Sequence, residues 1–249
     1  MAASDSDAEV QPETVRPTVR LPSIRVATRN YFSTYQLWGA ENCAARAAEI
    51  EGTRNIGSPF EIEHRAAVLG AITMSVGFLE AMVNELFADA ADRHGIQKDG
   101  TIAPLSERTR ELMGTWWELT GGWERLLQKC QLLLLFAGQP RLATSAQPYQ
   151  DAALLLDLRN VIVHYRPETV SATDAPHRLR KRLDRKFPDN PLTSAGNAWW
   201  PDHALGAGCA AWACKTARAL ADELTTRLGI SVNYQVNQAA WWPVEQNRA

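Results

Sequence analysis

Residues 58–87 read SPFEIEHRAAVLGAITMSVGFLEAMVNELF, and this stretch decides the fold. Ser58 can cap a helix, Pro59 suits its first position, and Glu61 can reach back to the cap. The helix is expected to run to about His94. Its apolar residues recur at spacings of four and three, which places one stripe towards a core. The stripe consists of Val68, Ile72, Val76, Leu79, Val83 and Leu86.

Four more helices are predicted on either side of this stretch. They cover approximately residues 27–52, 122–137, 148–166 and 204–228. A glycine or proline that ends a helix follows or closes each of them, at Gly52, Gly138, Pro167 and Gly229. No alternation of Val and Ile indicates a sheet. The sequence therefore predicts an all-α protein, an antiparallel helical bundle with an extra N-terminal helix and flexible termini.

The sequence predicts four regions along the chain. Residues 1–22 are rich in Ser, acids and Pro, and are expected to form a flexible tail. Residues 23–57 are expected to form an N-terminal helical extension, and residues 58–229 the helical bundle. Residues 230–249 show no period and are expected to form an irregular C-terminal tail.

Composition narrows the class of protein. The chain has 249 residues, of which 45% are hydrophobic and 22% charged, enough for a sizeable core. Its 26 basic and 28 acidic residues give a net charge of -2, so no global field attracts nucleic acid or a membrane. The longest apolar run, residues 132–137, is too short to span a bilayer, and the first twenty residues lack a signal peptide's apolar stretch. We expect a cytoplasmic protein without a membrane partner.

The four cysteines share no spacing typical of a metal site, and the sequence predicts no metal and no cofactor. Cys43 and Cys130 are interpreted as reduced thiols. Cys209 and Cys214 lie five apart on one predicted helix; a redox pair is the alternative to two buried thiols. The sequence also lacks a glycine-rich phosphate loop and a His-Glu-x2-His signature.

The candidate chemistry lies in residues 158–165, LRNVIVHY. Asn160 and His164 are four apart on one helix face, and Arg159 is offset by one position. Their neighbours in the helix are apolar, so burial of these polar groups costs free energy unless they are paired or take part in function. Glu80 and Asn84, four apart beside the stripe of the long helix, are the candidate supporting residues.

The run RNVIVH resembles the Arg-Asn-x3-His motif of the HEPN (higher eukaryotes and prokaryotes nucleotide-binding) domain family. The resemblance covers roughly residues 60–228. It implies a helical bundle whose motif helix packs beside an earlier helix carrying an acidic or polar residue, as Glu80 and Asn84 would supply. It also implies a metal-independent endoribonuclease that acts as a homodimer with a composite active site. Such a protein would be a toxin or antiviral defence effector, with an inhibitor or regulatory partner protein.

The resemblance assigns a role to each motif residue. Arg159 would bind the scissile phosphate, and Asn160 would orient the phosphate or the imidazole. His164 would be the acid or base, since histidine exchanges protons near neutral pH. Glu80 would fix Arg159. Some family members carry a regulatory Tyr two positions after the His; here Tyr165 follows it directly, so only a supporting, packing role is expected of it.

Two other interpretations remain open. Arg159 and His164 could instead belong to a purely structural network with Asp157 or Glu80. The chain could also be a non-catalytic helical module that binds a nucleotide, RNA or a partner protein through the same cleft.

A basic segment follows the motif. Residues 177–187, HRLRKRLDRKF, predict a helix with Leu179, Leu183 and Phe187 on one face. In a nuclease its cations would hold the RNA backbone; otherwise they form a solvated face or pair with acids. The predicted RNA-binding residues are Arg166, Arg178, Arg180, Lys181, Arg182, Arg185 and Lys186.

Tryptophans form three adjacent pairs, at 116–117, 199–200 and 241–242. Aromatic pairs of this kind belong to a core or an interface, or else stack on unpaired bases. Trp241 and Trp242 are predicted to contact a partner.

Overall fold

A computed structural model of the chain describes residues 29–54, 62–92, 100–167 and 177–236. Contacts divide the chain after Asn30, and every helix described belongs to the unit that begins at Tyr31. Within the described ranges there are helices and no strands, so the predicted all-α bundle is confirmed. The α-helices are α1 (Ser33–Thr53), α2 (Ile62–Ala90), α3 (Glu107–Thr120), α4 (Leu126–Phe136), α5 (Tyr149–Val163), α6 (Arg180–Leu183), α7 (Ala207–Leu228) and α8 (Asn233–Val236).

Helix α2 is the centre of the bundle and packs against α1, α3, α4, α5 and α7. All six residues of the predicted stripe are buried. Phe78, Met82 and Phe87 are also buried, so α2 meets neighbours on several faces. A helix that is apolar nearly all round is typical of a core position. The predicted start, from Ser58 to Glu61, lies outside the described residues.

Helix α2 ends at Ala90 and not near His94. Asp92 N–H donates to Asp89 O (3.2 Å), a tighter turn than that of an α-helix. At this point α3 crosses very close: a Cβ on Gly114 would come within 2.6 Å of the Ala90 carbonyl oxygen. Only glycine permits this approach.

Helix α3 is not among the helices predicted from the sequence. The residues that begin and end this helix are nevertheless recognisable in the local sequence. The Ser106 hydroxyl accepts a hydrogen bond from Thr109 N–H (3.1 Å), as expected of an N-cap. Gly121 ends the helix with a left-handed φ of 62°, and its N–H donates to Trp117 O (2.9 Å).

In two helices, a carboxylate from another helix accepts hydrogen bonds from N–H groups at the N-terminus. Glu85 of α2 accepts from Phe32 N–H (2.7 Å) and from the Ser33 N–H and hydroxyl (2.9 and 2.6 Å) at the start of α1. Glu51 of α1 accepts from Ala207 N–H (2.6 Å) at the start of α7. Helix α1, predicted as part of an extension, thus packs into the same compact unit as α2 and α7.

Residues 230–236 also contribute to the core, although the sequence indicated an irregular tail from residue 230. Ile230, Val232 and Tyr234 are buried. The Tyr234 ring meets the Phe78 ring edge-on at 5.1 Å, and its hydroxyl donates to Asp222 (2.6 Å). The rest of the predicted tail lies outside the described residues.

Helix α2 is long and apolar enough to cross a membrane by length and composition. Of its most apolar window, 56% is buried inside the bundle. The core helix of a water-soluble protein passes the same test, so this feature does not indicate a membrane protein.

Buried thiols predict a loss of stability at alkaline pH. Burial raises the pKa of Cys130 to about 12 and of Cys214 to about 11, and raises that of Cys209 further. In the unfolded chain these thiols have a pKa of about 8.5, so above that pH the unfolded state binds fewer protons than the folded state. The free energy of unfolding is therefore expected to fall as pH rises. One pH unit above the unfolded pKa, the three thiols together account for roughly 4 kcal/mol.

Urea unfolding at neutral and alkaline pH measures this fall. Lys129 acts in the opposite sense, because burial lowers its pKa, but it is one group against three thiols and the buried Tyr234. Cys209→Ala should reduce the fall at that pH by about a third, because it removes one of the three thiols. An unfolding free energy that stays constant up to pH ~10 would contradict the prediction.

Candidate functional site

Helix α5 places the motif at the edge of the core. Its inner face packs against α2 and α7 through Ala152, Leu154, Leu155 and Leu158. Arg159 follows Leu158 and is half-buried, whereas Asn160 is exposed. The motif therefore starts at the edge of the core and turns outwards to the surface.

Arg159 is paired with Glu80, the partner proposed from the sequence. Its Nη2 donates to Glu80 Oε1 at 2.5 Å, and the two side chains are 21% and 45% exposed. A pair this open contributes less than about 1 kcal/mol to stability. Its main effect is to hold the guanidinium on the side of α2.

Asn84, predicted only as a supporting residue beside Glu80, contacts Lys129. Its Oδ1 accepts from Lys129 Nζ (2.6 Å), and the same ammonium donates to the Gly122 carbonyl (3.1 Å). Lys129 is only 6% exposed, and burial lowers its pKa while the nearby Glu80 carboxylate opposes that effect. Asn84 thus fixes a buried cation beside the Glu80–Arg159 pair.

Lys129 was missed by the sequence analysis, although it left a signal. It is the one charged residue of α4, LLQKCQLLLLF, which is otherwise apolar apart from two glutamines. A lysine in such a helix is buried only when it finds acceptors.

Arg159 and Asn160 open into a surface cleft of about 600 Å³. One wall comes from α4 and the residue before it, the other from α5, with Glu80 of α2 between them. The lining is mixed: Leu126, Leu127, Tyr149, Ala153 and Leu156 are apolar, and Glu80, Arg125, Gln128, Asp157, Arg159 and Asn160 are polar. Such a cleft has the size and the mixture of groups of a ligand site.

His164 does not line this cleft. It is the C-cap of α5 with φ -103° and ψ 32°, and its N–H donates to Asn160 O (3.0 Å). The side chain is exposed, and no hydrogen bond joins its imidazole to another described residue. The structure thus brings together Arg159, Asn160 and Glu80, and leaves His164 one turn away.

Tyr165, for which a supporting, packing role is expected, lies on the surface. It is 50% exposed, and Val163 on the other side of His164 is 52% exposed. The helix ends at Val163, so these two exposed side chains lie at its C-terminal end.

The basic segment forms a much shorter helix than predicted. Helix α6 stops after Leu183, because Asp184 has a non-helical ψ of 130° and Arg185 has a left-handed φ of 60°. Leu179 and Leu183 are buried, as predicted, and Phe187 packs against the core with its ring 5.6 Å from that of Trp212.

Most cations of this segment already have partners. Arg182 bonds to Asp157 (2.6 Å) and Lys186 to Asp151 (2.7 Å), both on α5. Arg185 lies 3.6 Å from Asp184, and Arg180 lies 5.7 Å from the centre of the Trp199 ring. These contacts agree with the interpretation of a segment that pairs with acids.

Three of the seven predicted RNA-binding residues keep an uncommitted charge. They are exposed and form neither an ion pair nor a ring contact with the other described residues: Arg166, Arg178 and Lys181. The paired ones are partly exposed, and such pairs are weak enough to exchange for a phosphate.

Two of the tryptophan pairs belong largely to the core. Trp116 and Trp117 pack against Phe87, at ring distances of 4.6 and 6.0 Å. Trp200 is buried against His177, whose ring lies 4.8 Å away. Trp241 and Trp242 lie outside the described residues. Trp123, which the sequence analysis did not single out, is 90% exposed at the turn before α4.

The four cysteines form no disulfide. Across the ranges described here, no three His, Cys, Asp or Glu side chains are placed to hold a metal ion. Comparison with family models, with curated proteins and with solved structures finds no match for this chain. The assignment of a function therefore rests on the geometry of the cleft and the motif.

Proposed function

We propose that this chain is a metal-independent endoribonuclease of the HEPN type that acts in the cytoplasm as a toxin or antiviral defence effector. Its substrate is RNA, and an inhibitor or regulatory partner protein holds it in check. The observation that carries the proposal is the position of Arg159, which Glu80 fixes beside Asn160 on the wall of an open cleft.

The side chains suit the chemistry of this reaction. A base takes the proton from a ribose 2′-hydroxyl, the 2′-oxygen forms a bond to phosphorus, and the bond from phosphorus to the 5′-oxygen breaks. An acid gives a proton to the departing oxygen, which leaves a 2′,3′-cyclic phosphate and a 5′-hydroxyl. Arg159 stabilises the charge on the phosphate, and Asn160 orients it. His164 exchanges the protons.

A homodimer explains how His164 contributes. Within one chain it lies outside the cleft that Arg159 and Asn160 line, at an exposed helix end flanked by the half-exposed Val163 and Tyr165. Association of two copies through this end covers the apolar side chains and brings two motif helices to one composite site. Two imidazoles then supply both the base and the acid.

A second candidate is a non-catalytic module that binds a nucleotide, RNA or a partner protein through the cleft. The observation that favours it is that Arg159 is already paired and His164 stands apart. In this case the motif residues hold α5 against α2 and position a ligand in the cleft, but no reaction takes place there.

Cleavage of total RNA in EDTA separates the two candidates. Wild-type protein is expected to produce fragments that end in cyclic phosphate, and His164→Ala, purified identically, none. Because His164 is exposed, the variant should retain the wild-type melting temperature. A DNA strand of the same sequence should stay intact, since it lacks the 2′-hydroxyl. Intact RNA with wild-type protein, or equal cleavage by both proteins, would rule out the nuclease assignment.

A further inference from the structure

The cleft contains one cation that the motif does not include. Four charged side chains line it, and three of them are engaged: Glu80 with Arg159 at 2.5 Å, and Asp157 with Arg182 at 2.6 Å. The fourth, Arg125, forms no ion pair with any other residue in the described ranges. Its guanidinium is therefore the positive charge of this cleft that is not already neutralised.

The position of Arg125 is set by the start of α4. Its backbone N–H donates to Gln128 Oε1 (3.3 Å), one turn into the helix. This bond fixes the backbone on the α4 wall of the cleft, while Arg159 and Asn160 stand on the α5 wall. A nucleic-acid strand lying in the cleft thus contacts Arg125 on one side and the motif on the other.

We propose that Arg125 binds a backbone phosphate of the RNA strand in the cleft, next to the phosphate held by the motif. The proposal rests on the proposed function only in taking RNA as the ligand. A guanidinium with uncommitted donors binds a phosphate through two parallel hydrogen bonds. The apolar wall of Leu127, Tyr149 and Leu156 leaves room for a ribose or a base beside it.

The ion pairs indicate different roles for Arg159 and Arg125. Glu80 neutralises much of the charge of Arg159, so that residue orients and stabilises the reacting phosphate and adds little to overall affinity. Arg125 has no such partner among the described residues, so its full charge is available for attraction to the strand. Loss of Arg125 should therefore weaken binding, and loss of His164 should abolish cleavage without weakening binding.

A binding measurement tests this assignment independently of cleavage. The probe is a short, fluorescently labelled RNA whose 2′-hydroxyls are all methylated, so that it cannot react. Its affinity is measured by fluorescence anisotropy in EDTA over a range of salt concentrations, for the wild type and for Arg125→Gln. Arg125→Lys keeps the charge. Arg108→Gln removes one positive charge at the far end of α3, about 20 Å along that helix, where Arg108 and Glu111 are a widely exposed pair 3.7 Å apart.

Arg125→Gln is expected to bind roughly tenfold more weakly near 0.1 M salt, and its slope of log affinity against log salt should fall by about 0.7. Arg125→Lys should keep the wild-type slope, and Arg108→Gln both the affinity and the slope. Melting temperatures identify any variant that fails to fold. If Arg125→Gln keeps the wild-type affinity and slope, or if the wild type does not bind the probe, the assignment is overturned.

Cleavage of unmodified RNA by the same preparations keeps the two proposals apart. A wild type that cleaves RNA while Arg125→Gln binds normally would leave the nuclease in place and remove the role of Arg125. A wild type that binds the probe through Arg125 without cleaving RNA would keep the phosphate site and remove the nuclease.

Discussion

Replacement of Arg159 by Ala is expected to lower the rate of RNA cleavage by a factor of about 100 to 1000. The physical reason is that a donor fixed in advance at the developing phosphate charge costs no reorganisation during the reaction. Here Glu80 provides that fixation at 2.5 Å. Single-turnover cleavage of a defined RNA measures the effect, and the affinity of the methylated probe should change much less.

The opposite charges of this pair permit a sharper test. The exchange Glu80→Arg with Arg159→Glu keeps an ion pair between α2 and α5 but moves the guanidinium to the wrong helix. If Arg159 acts on the substrate, the exchanged protein folds and does not cleave. Restored cleavage would show that the pair is only structural. Each single charge reversal provides the reference for folding, because it brings two like charges together.

Replacement of Lys129 by Met is expected to lower the free energy of unfolding by about 2 to 4 kcal/mol. Methionine has a similar length, so the loss comes from the acceptors that it leaves behind. Asn84 Oδ1 and the Gly122 carbonyl would both lose their donor, and because both hydrogen bonds are only part-buried the cost is about 1–2 kcal/mol each. Urea unfolding measures the change, and Lys215→Met on the exposed side of α7 should stay within about 0.5 kcal/mol of wild type.

The double variant Lys129→Met with Asn84→Leu removes the donor together with one of its acceptors. Replacing both partners of a buried hydrogen bond by apolar groups is less costly than removing one, so the double variant should be more stable than the sum of the single changes indicates. Strict additivity would show that the Lys129–Asn84 bond contributes nothing.

The features that could be predicted from the sequence depend on periodicity within one helix. The stripe of α2 is buried because spacings of three and four put these residues on one side, whatever lies opposite. Gly229 ends α7 with a left-handed φ of 66°, as a glycine after an apolar run indicates. The pairing of Glu80 with Arg159 could also be predicted, because each is a charged residue on a helix that is otherwise largely buried.

The features that could not be predicted depend on residues far apart in the chain. Nothing near Lys129 indicates that Asn84, 45 residues earlier, accepts from it. The role of Arg125 is visible only when α4 and α5 form two walls of one cleft. The basic segment was predicted as one helix from its stripe, yet the ion pairs of Arg182 and Lys186 with α5 and the left-handed Arg185 outweigh that local preference.

The carboxylates that cap α1 and α7 couple the melting of these helices. Ser33 and Glu85 are 52 residues apart, and Ala207 and Glu51 are 156 apart. An isolated peptide of either helix would lack its cap, and its first turn would fray. Within the bundle, α1 cannot release its first turn without losing Glu85, and α7 loses its cap when α1 detaches. Helices α1, α2 and α7 should therefore exchange their amide hydrogens as one cooperative unit.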